Sequence, residues 1–495
     1  MDGGWADLHP WRVDPASDAP LFRQVYLQVR EAVLARTLAP GARLPSSRGL
    51  AARLGVSRTS VVSAYDQLIA EGWLTARVGS GAFVSLDLPD PFPASPRAPH
   101  DAQAVGPRFA PDRAKPFGPI VATDQPSLDD QPFTSGLCMM DARAQDAWRR
   151  ASLRAVRALG PADFGYTDPR GLPELRSAVC DYLRAARAVR CDPDQVVITS
   201  GTQHAIDIAV RTLLHVGDQV WVEDPSYPMT YRGLQQSGLE LCPVPVDEHG
   251  LVVASGVAKA PQARAAVVTP SHQYPTGAVL SMARRLELLA WAAQTGAWII
   301  EDDYDSELRY RGRPLASLQG LDERARVIYV GTLNKVLFPG LRIGFAVVPR
   351  AILPEFVDAR HVGDRQPPTL SQTTLASYMR EGHLTSHFRR MRLLYRQAQE
   401  ALVAELTARV GGRLQIRRPD QGNHLVAWLP PGVDDVAIER AAGDLGVACR
   451  AISRLYLDAI PRPGLMLGFT GFTSAALTTA ARSLAEVIRA RFDAA

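Results

Sequence analysis

Amine chemistry in this chain is restricted to very few residues. The sequence has 55 lysines and arginines, but only Lys115, Lys259 and Lys335 are lysines. Lys335 follows a β-branched run that ends at Val330, whereas Lys115 lies in a proline-rich stretch and Lys259 in a polar loop. A lysine held just beyond a strand can present its amine to a carbonyl compound and form a Schiff base. Lys335 is therefore the candidate covalent residue.

Two other predicted strand ends carry groups that suit the same chemistry. Asp302 and Tyr304 follow the run Trp298 to Ile300 and lie on the same side of an extended chain, because alternate residues share a face. A second run, Val196 to Thr199, leads into a helix whose first N–H groups are free to bind a phosphate. The residues predicted to bind that phosphate are Ser200, Gly201, Thr202, Thr332 and Arg342.

Together these groups meet the requirements of pyridoxal phosphate (PLP). PLP needs an amine, a carboxylate facing its pyridine nitrogen, a donor to its ring oxygen, an aromatic stack and a phosphate site. Tyr227 is the candidate for the stack, and Tyr166 is a candidate to reach the phosphate of a neighbouring subunit. Taken alone, a lysine after a strand is more often an ordinary surface residue, and an Asp-Asp pair there can equally be a polar loop. The combination predicts a PLP site beyond the carboxyl ends of the strands of an open α/β sheet.

The N-terminal residues have a different pattern. Apolar residues at helical spacing predict a helix over Leu21 to Arg36. Ser46 and Ser57 are good N-caps for a second helix ending at Leu54 and a third ending near Ala70. Two short strands around a Gly-Ser-Gly tip follow. This order predicts a winged helix-turn-helix whose third helix leaves its first turn free to contact DNA.

The distribution of charge supports a DNA contact. The formal net charge is only +4, but residues 19–85 contain eight arginines against three acidic residues. A basic small module beside a near-neutral large one is typical of nucleic-acid binding. The alternative interpretation is a small helical domain with solvated arginines.

The chain as a whole predicts two domains and a linker. We assign residues 19–86 to the winged helix, 87–131 to a linker rich in Pro, Ala and Asp, and 132–495 to the large domain, with a smaller α+β subdomain from about 385. Alternating β-branched runs and amphipathic helices favour a parallel α/β sheet. No apolar run is long enough for a membrane span, and the five scattered cysteines match neither a disulfide framework nor a metal site. We expect a cytoplasmic, nucleoid-associated bacterial protein without a metal.

The motifs also carry family resemblances. Leu44 to Arg48 and Leu54 to Arg58 resemble the winged helix of the GntR family, and the segments around the predicted PLP site resemble a fold-type I aminotransferase. Joined in one chain, and with Thr269 to Gly277, they resemble the MocR/GabR family of bacterial regulators. The resemblance implies a head-to-tail homodimer and operator DNA as a partner. It implies DNA contacts at Arg43, Ser46, Arg48, Arg58, Thr59 and Gly81.

Several residues depart from the aminotransferase pattern. Tyr274 stands where aminotransferases usually have the asparagine that binds the ring oxygen, and Asn334 stands where a serine often precedes the lysine. Two arginines that bind substrate carboxylates in relatives are replaced by Met466 and Met229. These replacements favour PLP itself, or an amine without a carboxylate, as the effector. Arg232 and Arg450 are nearby in sequence and could take the place of the two missing arginines, and the sequence alone leaves this question open.

We therefore predict a PLP-dependent, DNA-binding transcription regulator that senses PLP or an adduct of PLP with an amino compound. The alternatives are a catalytically active aminotransferase that carries a DNA-binding module, and a sensor of PLP alone. Steady turnover of an amino donor with a keto acid would favour the enzyme.

Overall fold

The computed structural model describes most of the chain, namely residues 11–17, 19–77, 80–88, 131–312 and 315–493. The chain divides into two compact units, Met1–Gly118 and Pro119–Ala495. Of the predicted linker, only residues 87, 88 and 131 are among those described, so that prediction otherwise lies outside the described residues. Within the described residues, no helix is both long and apolar enough to cross a membrane.

The first unit has the predicted winged-helix order. Its elements are α1 (Leu21–Leu34), α2 (Ser47–Leu54), α3 (Arg58–Ala70), β1 (Leu74–Arg77) and β2 (Gly81–Val84). The side chains of Ser46 and Ser57 accept hydrogen bonds from the backbone N–H groups of Gly49 and Ser60, which caps α2 and α3 as predicted. Gly55 ends α2 in the left-handed region, at φ 68°. These local signals fix the turn between the two helices.

A small apolar core holds the three helices together. Val25 and Val29 of α1 are buried, as are Val61 and Leu68 of α3. Val62 of α3 is only half-buried. The buried residues recur every three or four positions, so one face of each helix packs inward and the other is left to solvent. The first turn of α3 lies on the solvent side.

The second unit contains two sheets surrounded by helices. The strands are β3 (Val196–Thr199), β4 (Gln219–Asp224), β5 (Glu240–Asp247), β6 (Gly250–Leu251), β7 (Ala265–Val268), β8 (Trp298–Asp303), β9 (Val327–Thr332), β10 (Gly344–Val347), β11 (Gln415–Arg417), β12 (His424–Trp428), β13 (Arg450–Ala451) and β14 (Gly464–Gly468). The α-helices are α4 (Ala142–Ala158), α5 (Pro173–Arg187), α6 (Thr202–Leu213), α7 (Pro228–Gln236), α8 (Val253–Lys259), α9 (Met282–Thr295), α10 (Leu318–Leu321), α11 (Leu353–Asp364), α12 (Thr369–Arg380), α13 (His383–Val410), α14 (Asp435–Gly443) and α15 (Ser474–Asp493).

The larger sheet places several strand ends at one edge. Its order is β3-β10-β9-β8-β7-β4-β5-β6. Strands β9, β8, β7, β4 and β5 are parallel to one another, so their carboxyl ends meet at the same edge. Val222 packs with residues of α6 on one face, while Trp221 packs with residues of α9 on the other. Because helices cover both faces, six of the strands contain continuous apolar runs, which is why the sequence identified β3, β4, β7, β8, β9 and β10.

The prediction of a parallel sheet was wrong for two strands. Strand β10 runs antiparallel to both β3 and β9, and β6 runs antiparallel to β5. The connection between Thr332 and Gly344 contains no α-helix, and a parallel return normally needs one. Strand β5 was not predicted because it contains Pro243 and Pro245, which are tolerated close to the edge of a sheet.

The smaller sheet is entirely antiparallel. Its order is β11-β12-β14-β13. In the pairing of β13 with β14, Arg450 lies directly opposite Met466. The fold is therefore a winged helix together with an α/β domain that has a smaller α+β part at its C-terminus, as predicted.

Candidate functional site

A cavity of about 180 Å³ lies at the edge where the parallel strands end. It brings together six of the residues that we predicted to bind the cofactor, namely Thr202, Tyr227, Asp302, Tyr304, Thr332 and Lys335. These residues come from segments as far apart as α6 and the end of β9. The fold therefore brings predicted cofactor-binding residues from distant parts of the sequence together at one edge of the sheet.

The amine of Lys335 faces this cavity without a counter-ion. It forms no salt bridge with any carboxylate of the described residues, and burial lowers its pKa. A lower pKa increases the neutral fraction of the amine, which is the nucleophilic form. Gly136 lies so close that a Cβ atom built on it would be 2.6 Å from the Lys335 Nζ.

The two neighbouring aspartates at the end of β8 have different roles. Asp302 lines the cavity, and its Oδ1 has no hydrogen-bond partner among the described residues. Burial, with the nearby charge of Asp303, raises the pKa of Asp302 to about 8. Asp303 instead accepts hydrogen bonds from Arg187 Nε at 2.8 Å and from the Tyr329 hydroxyl at 2.6 Å. Asp302 is therefore available to a ligand, and Asp303 is a structural residue.

A buried imidazole holds the phenol of Tyr304. His272 Nδ1 lies 3.1 Å from the Tyr304 hydroxyl and 3.0 Å from Asp305 Oδ2. With its proton on Nδ1, the imidazole donates to both oxygens, and the hydroxyl proton of Tyr304 stays free for an acceptor in the cavity. His424 lies beside this group, with its ring 4.7 Å from that of His272.

The predicted phosphate-binding residues surround the start of α6. Gly201 adopts φ +139°, and a Cβ atom built on it would lie 3.8 Å from Thr332 Oγ1 and 4.0 Å from an Arg342 guanidinium nitrogen. The Asn334 side chain donates to the Ser200 carbonyl at 3.2 Å and accepts from the Ile343 N–H at 2.9 Å. Asn334 thereby connects its own segment to those that contain Ser200 and Ile343. The asparagine that replaces the usual serine therefore stabilises this part of the cavity.

Tyr166 does not join the other residues. It is 77% exposed, and the Arg365 guanidinium carbon lies 3.8 Å from its ring centroid. Our prediction for Tyr166 concerned a neighbouring subunit, so it stays a prediction. Tyr227 does line the cavity, and its ring centroid lies 5.1 Å from that of Tyr274.

In the winged helix, the predicted DNA contacts lie on the surface. All six residues are exposed to solvent, namely Arg43, Ser46, Arg48, Arg58, Thr59 and Gly81. Arg58 donates from Nε to the Ser47 hydroxyl at 3.4 Å, which places α2 and the first turn of α3 in contact. Gly81 adopts φ +106° at the start of β2, with the Arg43 Nε 3.8 Å from a Cβ built there. Arg43 thus belongs to the wing side of the module, and Arg58 to the helix side.

The residues of the cavity fit PLP. Among the described residues, the Lys335 amine has no counter-ion and Asp302 Oδ1 has no partner, and these two groups with the helix start at Gly201 supply three of the five features that PLP needs. Each of them would be an energetic liability in a cavity that bound nothing polar.

Comparisons with known proteins agree with this geometry. Residues 133–484 match the family "Aminotransferase class I and II", and residues 21–84 match "Bacterial regulatory proteins, gntR family". The probable rhizopine catabolism regulatory protein MocR of Rhizobium meliloti is 38% identical, over 93% of this chain and 92% of its own length. The chain belongs to the MocR/GabR family.

This MocR-type chain is also similar to a second regulator and, in its large domain, to an enzyme of known structure. The pyridoxine biosynthesis transcriptional regulator PdxR of Corynebacterium glutamicum is 33% identical over 94% of this chain and 95% of its own. Among solved structures, the α-aminoadipate aminotransferase LysN of Thermus thermophilus has a TM-score of 0.68 and 27% identity. The match covers 74% of this chain and 93% of that one. The large domain therefore has the fold of PLP-dependent aminotransferases.

Sequence reasoning missed part of the cavity of this MocR-type chain. The lining residues that it did not nominate include Ser135, Gly136, Glu223 and Asn423. Ser135 and Gly136 precede α4 and come from a segment with no strand pattern. The one signal in the sequence was an isolated glycine before a helix, and Gly136 does adopt φ +80°.

We expect Gly136→Ala to lose PLP binding. The added methyl would lie 2.6 Å from the Lys335 Nζ, which no real Cβ contact tolerates, so the lysine must leave its position. The expected result is a loss of at least about tenfold in PLP affinity, equivalent to about 1.4 kcal/mol. The measurement is PLP absorbance in an equilibrium titration.

The matched control for this substitution is Gly432→Ala. Gly432 also has positive φ, at +86°, but a Cβ built on it would meet nothing within 4 Å. It therefore reproduces the backbone strain without the contact with Lys335. Equal PLP affinity in the two variants would contradict the role given to Gly136.

Proposed function

We propose that this chain is a transcription regulator that binds operator DNA through its winged helix and binds PLP on Lys335. Its effector is PLP or an adduct of PLP with an amino compound. The observation that carries the proposal is the Lys335 amine, which has no counter-ion among the described residues, in the cavity of a chain that also presents a winged helix with exposed arginines. The relatives MocR and PdxR, both named as regulators, support it.

In this proposal, the predicted cofactor-binding residues are divided among the parts of the cofactor. Lys335 would bind it covalently, Asp302 would pair with the pyridine nitrogen and Tyr304 would donate to the ring oxygen. Tyr227 would stack on the ring, and the phosphate would be held by the groups around the start of α6, which are Ser200, Gly201, Thr202, Thr332 and Arg342. PLP, when bound, supplies an aldehyde that condenses with primary amines and a ring that withdraws electrons.

Two chains are proposed to act together as a head-to-tail homodimer. The exposed ring of Tyr166 is then free to reach the cofactor phosphate of the partner chain. Paired winged helices would read two half-sites, and linking them raises affinity through effective concentration.

The test is a selection of DNA by the full-length protein loaded with PLP. Bound sequences are recovered from a random duplex pool, and the enriched site is then measured by mobility shift with and without PLP. We expect enrichment of paired half-sites and a change in affinity with the state of the cofactor. Recovery of unenriched sequence, at salt concentrations that weaken phosphate contacts, would overturn the proposal.

Within that experiment, Arg58→Ala is expected to reduce sequence discrimination. Arg58 is exposed in the first turn of α3, where side chains of a recognition helix reach base edges. Loss of a bidentate contact to a guanine costs about 1–3 kcal/mol on the selected site and much less on random duplex. Competition mobility shifts with both duplexes measure the difference.

Arg53→Ala is the control for Arg58→Ala. Arg53 is also exposed, but it lies in the last turn of α2 and is not a predicted contact. The two substitutions remove the same charge, so both weaken general attraction equally. An equal loss on specific and random DNA would make Arg58 a phosphate contact.

A further inference from the structure

Arg450 contributes a second cation to the cavity that contains Lys335. It lies in β13, directly opposite Met466 of β14. Directly opposed residues of an antiparallel pair share one face of the sheet. Met466 is almost completely buried at 1% exposure, whereas Arg450 is accessible and lines the cavity. The smaller sheet therefore brings a guanidinium to the cavity from the strand next to the methionine.

This guanidinium has no carboxylate in direct contact. Arg450 forms no salt bridge in the part of the chain that the structure describes, and the Glu439 carboxylate, which pairs with Arg454, acts on Arg450 only from beyond that distance. Its hydrogen bond is to the Tyr274 hydroxyl, 3.2 Å from one guanidinium nitrogen. A guanidinium has five N–H donors arranged to bind a carboxylate with two parallel hydrogen bonds. Most of these donors are available to a ligand.

Arg450 is distinct from the groups assigned to the phosphate. Those groups surround Gly201, where Thr332 and Arg342 approach the start of α6. Arg450 instead contacts Tyr274, whose ring packs against Tyr227. A ligand held by Arg450 therefore lies on the side of the cavity formed by the smaller sheet and these two tyrosine rings.

We infer that Arg450 binds the carboxylate of an amino acid effector, with the Tyr274 hydroxyl as an additional polar contact. This inference rests on the proposed function, because the amine of the same ligand must lie near the PLP on Lys335. It differs from the expectation based on Met466 and Met229, which favoured a ligand without a carboxylate. The arginine missing from β14 is replaced from β13, one strand away.

The test compares amino acids with the amines that lack only the carboxylate. PLP-loaded protein is titrated with L-alanine and β-alanine against ethylamine, and with γ-aminobutyrate against propylamine. The change in PLP absorbance gives each dissociation constant. For at least one pair we expect the amino acid to bind about tenfold or more tightly than its amine, equivalent to about 1.4 kcal/mol.

Three variants identify the residue responsible. Arg450→Gln is expected to abolish the preference for the amino acid while leaving the amine constant unchanged, and Arg450→Lys to retain part of it. Arg462→Gln is the control, because Arg462 lies over the Trp428 ring at 4.4 Å and does not line the cavity. It should keep the full preference.

The outcomes separate this inference from the proposed function. Retention of the preference in Arg450→Gln overturns the inference, as does equal binding of amines and amino acids by the unsubstituted protein; in both cases PLP and DNA binding are unaffected. If the loaded protein responds to none of the five compounds, amine sensing fails together with the inference. Failure to load PLP at all would instead overturn the proposed function.

Discussion

Replacing Lys335 by alanine should abolish covalent attachment of PLP. Among the described residues, Lys335 is the one lysine at the cavity, and its amine has no counter-ion there. The unsubstituted protein, reduced with borohydride, is expected to gain one phosphopyridoxyl group per chain, which is the mass of PLP less one oxygen atom, and Lys335→Ala is expected to gain none. Intact mass spectrometry and loss of the visible absorbance band measure the effect.

Lys259→Ala is the matched control for that experiment. The Lys259 amine forms a salt bridge with Asp458 at 2.9 Å and lies at the surface, so its removal should leave attachment of PLP unchanged. A reduced adduct on another lysine in the Lys335→Ala protein would show that the assignment is wrong.

Asp303→Ala is expected to destabilise the fold more than any surface substitution. Asp303 accepts hydrogen bonds from Arg187 and Tyr329, and the Arg187 side chain is only 3% exposed. Removing the carboxylate leaves a buried guanidinium without its counter-ion, which costs about 3–5 kcal/mol. Urea denaturation followed by circular dichroism measures the free energy of unfolding.

Two controls separate this effect from a general loss of charge. Asp302→Ala removes the adjacent carboxylate, whose Oδ1 has no partner among the described residues, and should leave the free energy of unfolding nearly unchanged. Asp146→Ala breaks a surface pair with Arg149 and should cost less than about 1 kcal/mol. If Asp302→Ala and Asp303→Ala destabilise equally, the division of roles between the two residues is incorrect.

The sequence predicted the strands and the residues that directly follow them. The runs before Lys335, Asp302 and Ser200 form β9, β8 and β3, because strands covered on both faces are apolar throughout. The carboxyl ends of parallel strands share an edge, so the residues that follow β8 and β9 come together without further information. The winged helix was predictable for a local reason, since Ser46 and Ser57 cap their helices within three residues.

The remaining features depend on pairing between distant segments. The position of Arg450 follows from its pairing opposite Met466, and nothing in the sequence around either residue predicts which residues pair. Gly136 approaches Lys335 across almost two hundred residues of sequence, and no periodic pattern marks such a contact. The direction of β10 was missed because an apolar run has the same pattern whichever way the strand runs.

The cavity is lined by both sheets of the large domain, and this has a thermodynamic consequence. Lys335 follows a strand of the larger sheet, whereas Arg450 belongs to the smaller sheet and Asn423 directly precedes its strand β12. A ligand that contacts both sheets binds only while they are held together. By mass action, a ligand at one hundred times its dissociation constant stabilises that arrangement by about 2.7 kcal/mol. A higher concentration of such a ligand would therefore make the whole domain more resistant to unfolding and proteolysis.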